Sequence, residues 1–298
     1  MATRGIAVTG ASGNVGGAVV RGLLAAGETD VLAWVRSPSR LAALERVVDV
    51  RQADYQSREG LESALDGVGT LVFISSDGEA APMLIHHGNV LAAAVSAGVE
   101  HVVYLSILDV EADSPFCFAP VHRETERMLR DHGLPHTVVR SSIYSEFFLR
   151  WVVEAASTGE LALPMRDGTV SLISRDDVAR CLVECAVRRA GSLVHATGEE
   201  SYGLAEVARL AARLGSRPVR PTDIDPTEFA ALLLRQHVTP WWTYAFASMF
   251  ESVRGQRFAE VTGDVAALTG HGPVGFEDIA QRAFQASLRV GDPAGGES

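Results

Sequence analysis

The chain has 298 residues, 47% hydrophobic and 21% charged, which suits one large domain or a domain with a smaller companion. Its formal charge of -11 and pI of about 5.3 exclude the basic face that direct nucleic-acid binding needs. All 26 basic residues are arginine, which we read as the coding bias of a GC-rich genome, and three cysteines are too few for a disulfide scaffold.

The first apolar run, GIAVTG (5–10), starts within a few residues of Met1, so no signal segment is expected ahead of it. It leads into TGASGNVGGAVV (9–20), which reads as strand, glycine turn and helix. Gly10, Gly13 and Gly16 are spaced three apart. Glycines there permit a tight turn and bring backbone N–H groups close to a pyrophosphate at the helix N-terminus. The pattern is GxxGxxG, a variant of the GxGxxG dinucleotide fingerprint, in the strand-turn-helix setting that gives such a pattern meaning.

The second run, DVLAWV (30–35), ends at WVRSPSR, with Arg36 twenty residues past Gly16 and Arg40 shortly after. A carboxylate there would bind the ribose hydroxyl of NAD. Two arginines suit the 2′-phosphate of NADPH instead, because a guanidinium bonds phosphate bidentately. Further runs follow at VDVRQA, TLVFIS, HVVYLS and HTVVR. Between them lie RLAALERV, REGLESALDG, PMLIHHGNVLAAAVSAG and HRETERMLRDHG, with apolar residues near i, i+3, i+4 and i+7. Continuous apolar strands alternating with amphipathic helices predict a doubly wound parallel α/β sheet, the Rossmann arrangement. His86 and His87 are adjacent on a helix and point apart, so they make no metal pair.

After Arg140 the rhythm loosens. A helix over 144–157, extended pieces near Leu161 and Val170, a helix at DDVARCLVECAVRR and a strand at SLVHATG are expected. Cys181 and Cys185 share a helix face and read as small buried hydrophobes. From about Ser201 the chain is mostly helical. The expected division is a dinucleotide-binding domain over 1–200, a smaller helical C-terminal substrate-binding region over 201–292 joined by segments near 144–170, and a disordered tail over 293–298. Trp241, Trp242, Tyr244, Phe246 and Phe250 of PWWTYAFASMF either wall an aromatic-substrate pocket or pack a helix core. No apolar run reaches the roughly 18 residues of a membrane span, so a soluble cytoplasmic protein is expected. A homodimer stays open.

TGASGNVG, WVRSP, RQADY, FISS, HHGNVLAAAVSAGV, YLSIL, HRETERMLRDHGLPHTVVR and GHGPVGFEDIAQ occur in the order seen in NmrA-like atypical short-chain dehydrogenases/reductases. Within that family the chain resembles the bacterial type 2 NAD(P)H:quinone oxidoreductases. The resemblance implies NADPH as cofactor, with Ser12, Gly13, Asn14 and Val15 around the pyrophosphate and Arg36 on the 2′-phosphate. It also implies Asp54 by the adenine, Ser75 and Ser76 beside the nicotinamide-side ribose, and Ser106 facing the substrate. In FAPVH (118–122), His122 stands where many relatives carry lysine, and Phe118 where standard short-chain enzymes carry tyrosine. Ser141, Ser142 and Phe147 also depart from the residues usual in relatives.

A ketone becomes a basic alkoxide on reduction and calls for a positioned proton donor, which FAPVH lacks. A quinone yields an anion stabilised by its ring and can manage with positioning and a few hydrogen bonds. His122 either serves chemistry or bonds locally as a helix-start residue, and Tyr144 either bonds a quinone oxygen or packs. Three functions follow: an NADPH-dependent reductase of a small-molecule quinone or conjugated carbonyl, a non-catalytic NADP(H)-sensing regulator, or a tailoring reductase or isomerase of aromatic secondary metabolites.

Overall fold

A computed structural model of the chain describes residues 5–35, 48–75, 78–189 and 191–290, with side chains as far as 287. Arg36, Arg40, Ser76, the run RLAALERV and the tail 293–298 lie outside the described residues. From the amino end run β1 (Gly5–Val8), α1 (Asn14–Ala25), β2 (Val31–Val35), β3 (Asp49–Gln52), α2 (Arg58–Ala64), β4 (Val68–Ile74), α3 (Ala80–Ser96), β5 (His101–Ile107), α4 (Ala119–Asp131) and β6 (His136–Ser141). Then come α5 (Ser145–Thr158), β7 (Glu160–Leu163), α6 (Arg175–Arg188), β8 (Leu193–Ala196), α7 (Leu204–Gly215), β9 (Arg220–Asp223), α8 (Pro226–Arg235), α9 (Pro240–Arg254), α10 (Asp264–Thr269) and α11 (Phe276–Val290).

Seven strands form one parallel sheet in the order β3-β2-β1-β4-β5-β6-β8, as a doubly wound fold requires. The inner strands β1, β2, β4 and β5 are buried almost end to end because helices cover both faces. Edge strand β3 reads DVRQ and is partly exposed. On one face α2, α3 and α4 close over Trp34, Leu71, Phe73, Val102 and Tyr104. On the other, α1 packs against α6, close enough at Gly22 that a Cβ there would lie 2.8 Å from Val183.

Two compact units share the chain, and each is discontinuous. The first takes 1–141, 175–196 and 264–271 and contains the whole seven-stranded sheet. The second takes 142–174, 197–263 and 272–298 and contains the separate β7-β9 pair. The units therefore interleave: 142–174 belongs to the second, and β8 and α10 complete the first from late in the sequence. No helix among the described residues is long and apolar enough to cross a membrane.

Candidate active site

Strand order reverses between β1 and β4, so the connections leaving these strands diverge and open a crevice at their carboxyl ends. Thr9 fixes this point. Its hydroxyl donates to the Ile74 carbonyl at 3.1 Å and accepts from the Ile74 N–H at 2.8 Å, tying the two strand ends together. The glycine loop follows at once. Gly10 has φ +61°, a left-handed conformation that favours glycine, and its carbonyl accepts from the Gly13 N–H at 2.8 Å.

A Cβ on Gly16 would stand 2.3 Å from the Gly10 carbonyl oxygen, so only glycine lets α1 lie this close to the loop. Gly13 is the N-cap of α1 and supplies no side-chain cap, and the helix has no acidic residue in its first turn. Ser12, Gly13 and Asn14 are exposed while Val15 and Gly16 are buried. Uncapped N–H groups at an accessible helix start, reached through a loop with no room for side chains, fit a dinucleotide pyrophosphate. Gly16→Ala is therefore expected to cost about 1–3 kcal/mol by overpacking and to weaken NAD(P)H binding at least tenfold. Calorimetric titration and thermal melting read the two effects; unchanged affinity would show that the loop does not hold the cofactor.

Asp54 follows the carboxyl end of β3 and is exposed, with one carboxylate oxygen accepting from the Gln56 N–H at 3.0 Å. Asn89 of α3 holds this loop by donating to the Tyr55 carbonyl at 2.9 Å. Ser75 directly follows β4. The structure thus brings Gly10, Ser12, Gly13, Asn14, Asp54 and Ser75 to the carboxyl edge of one sheet.

Behind Ser75 lies a buried polar chain that the sequence does not announce. His87 Nδ1 lies 2.7 Å from Thr125 Oγ1, and His87 Nε2 lies 3.2 Å from Ser75 Oγ. Thr125 spends its one hydroxyl proton on the Val121 carbonyl at 2.8 Å. It must then accept from His87, which fixes the Nδ1–H tautomer and leaves Nε2 to accept from Ser75. Burial, reinforced by the nearby His122 and His86, lowers the His87 pKa to about 3, so the ring is neutral.

Next to it, Tyr104 Oη and His122 Nδ1 share a hydrogen bond of 2.8 Å. Burial lowers the His122 pKa to about 4 against an opposing pull from Glu126. Burial raises the Tyr104 phenol well above the ordinary tyrosine range. His122 thus occupies its helix position as a neutral partner of a buried phenol. Phe118, at the N-cap of α4, offers no hydroxyl.

Ser106, near the end of β5, donates to Glu126 Oε1 at 2.8 Å. The same carboxylate takes a two-point ion pair from Arg140, at 3.0 Å from Nε and 2.7 Å from Nη2. Ser106 of β5 and His122 of α4 therefore both lie where β5 meets α4 within the first unit, whereas Tyr144 is the N-cap residue of α5 in the second. Glu126 and Arg140 also line a cavity of about 620 Å³ that runs along β6 from the loop 133–135. Among the described residues no cluster of three or more metal-ligating side chains exists, and burial pushes the Cys181 and Cys185 thiols up to about 12.

The residues that sequence reading missed are Thr9, Tyr104, Thr125, Glu126 and Arg140. The available signal was spacing on α4: His122, Thr125 and Glu126 fall at i, i+3 and i+4 and so share one helix face.

The chain is also similar to known proteins along most of its length. The model of the NAD(P)H-binding family matches residues 10–189. Quinone oxidoreductase 2 of Escherichia coli is 34% identical over 236 residues, spanning 76% of this chain and 80% of that protein. An NmrA-like family domain-containing oxidoreductase of Aspergillus flavus is 29% identical over 290 residues, 92% of this chain and 93% of that one. The NADPH-dependent quinone oxidoreductase of Escherichia coli, solved in complex with NADPH, superposes with a TM-score of 0.89 at 29% identity, covering 94% of this chain and 99% of that one.

Proposed function

This chain belongs to the NAD(P)H-binding family, in its NmrA-like, quinone-reductase-like branch, and we propose that it is an NADPH-dependent reductase of a quinone or similarly conjugated carbonyl. When bound, the dinucleotide supplies the hydride. The protein's part is to hold, orient and withhold. Backbone N–H groups at the start of α1 hold the pyrophosphate beside Ser12 and Asn14. Arg36 and Arg40 are assigned to the 2′-phosphate, Asp54 to the adenine end, and Ser75 and Ser76 to the nicotinamide-side ribose. His87, itself fixed by Thr125, keeps the Ser75 hydroxyl from rotating.

The neutral, buried Tyr104–His122 pair is the observation that carries the choice of acceptor. It provides neither a cation nor an acidic phenol for protonating an alkoxide. A reduced quinone spreads its charge over the ring and takes its protons from water, so it tolerates such a site. The Ser106 hydroxyl proton is engaged by Glu126, which leaves the Tyr144 phenol as the group assigned to the acceptor oxygen.

A panel of benzo-, naphtho- and polycyclic quinones, with NADPH and NADH in parallel and nicotinamide absorbance as readout, tests this reading. Turnover is expected with NADPH favoured by about tenfold or more, the worth of one charge-assisted contact. Preference for the largest quinones would point to tailoring of aromatic metabolites. Tight NADPH binding without turnover on any acceptor would overturn the reductase reading in favour of a cofactor-sensing regulator.

A further inference from the structure

In the second unit the aromatic side chains of α5, α8 and α9 divide into two groups. Phe148, Trp151, Phe229 and Phe250 are buried, with ring centroids 5.0 to 6.3 Å apart, and form that unit's core. Beside them runs a strip that stays partly in water. Phe147 of α5 meets Phe246 of α9 at 5.0 Å, and Trp242, one turn earlier on α9, lies 5.7 Å from Phe246. These three rings are each only partly buried.

Arg150 lies over this strip. Its guanidinium carbon is 5.2 Å from the Trp151 ring and 5.7 Å from the Phe246 ring. The side chain is exposed and makes no ion pair among the described residues, although Glu146 and Glu154 sit one turn away on either side along α5. A scattered exposed ring needs no explanation. A contiguous ring surface with a cation already seated on it is different. Ring contacts hold the guanidinium against the strip, so less rotamer freedom remains to be lost when an anion arrives. The rings supply stacking area for a flat molecule, and the arginine supplies a counter-charge at its edge.

We infer that the Phe147–Arg150–Trp242–Phe246 strip binds a planar aromatic molecule carrying an anionic substituent, such as a carboxylate, sulfonate or phenolate, and that Arg150 sets its preference for the anion. That this ligand is the acceptor rests on the reductase reading; its binding does not.

The test is a tryptophan-fluorescence titration of the full chain without cofactor, using a naphthoquinone sulfonate, the uncharged naphthoquinone, and a naphthoquinone bearing a trimethylammonium group. Trp151 and Trp242 report directly on the strip. The sulfonate is expected to bind about tenfold more tightly than the neutral compound, and the cationic one most weakly. Arg150→Gln should erase the sulfonate's advantage while leaving affinity for the neutral compound within about twofold, and Arg150→Glu should invert the order. Phe246→Ala should weaken all three. Equal sulfonate affinity in wild type and Arg150→Gln, or no saturable quenching, would overturn the inference. Arg150-dependent binding without NADPH turnover would uphold the site and refute only the reductase reading. Turnover of the sulfonate with a KM indifferent to Arg150 would do the reverse.

Discussion

Replacing Glu126 by alanine is expected to lower the unfolding free energy by about 3 kcal/mol, at the low end for breaking a buried ion pair. The Glu126 side chain is 5% exposed and that of Arg140 is 21% exposed, so the arginine left behind recovers part of its hydration beside the cavity. Ser106 would lose its acceptor in the same step. For a protein of this size the melting temperature should fall by about 5 °C. A double variant, Glu126→Leu with Arg140→Leu, removes both charges together and should be markedly less damaged than the single change. If the two variants melt alike, the pair is not coupled and the account of this site fails.

Stability should also fall steeply as pH drops from 7 to 5, through two named histidines. His87 and His122 have folded-state pKa values of about 3 and about 4, below the ordinary 6.5. Above pH 6.5 both are neutral, folded or unfolded, and contribute no pH dependence. Below it the unfolded chain binds protons that the folded chain refuses, so the native state loses ground until the folded pKa is reached. By pH 5 each histidine costs about 2 kcal/mol, a sizeable share of a typical folding free energy. Urea unfolding at both pH values measures this. His122→Gln should flatten the pH dependence by about 2 kcal/mol, whatever it does to stability at pH 7. An unchanged slope would mean that His122 is charged in the native protein or titrates normally.

The sheet was legible because its strands advertise themselves locally, as apolar runs bounded by turns, and because glycines spaced as in GxxGxxG serve one backbone geometry. The glycine loop could be read for the same reason: Gly16 answers to a contact only six residues away. Tyr104 was hidden. As a strand residue among valines and leucines it looks like core, and its bond to His122 spans 18 residues. The Glu126–Arg140 pair was hidden too, because an acid on a helix and an arginine on a strand have no fixed spacing. PWWTYAFASMF could not be divided by inspection. Trp242, Phe246 and Phe250 recur every four residues and share one helix face, so spacing alone does not separate the buried Phe250 from the partly exposed Trp242 and Phe246; packing against α5 does. The return of α10 to the first unit has no local signature.

That interleaving sets a timetable during synthesis. β6 is complete once residue 141 has emerged from the ribosome, but its partner β8 ends at residue 196. α10 secures β8 through the Asp264 carboxylate, which accepts from the His195 N–H at 2.8 Å, and Arg180 donates to Thr269 at 3.3 Å. Until β8 emerges, the Val138–Ser141 edge of the sheet is an unpaired strand on a nascent chain, the kind of surface that recruits a neighbouring chain. A ribosome stalled between residues 141 and 193 would thus display a nearly finished sheet with one open edge, and translation speed across that interval governs how long the edge stays open.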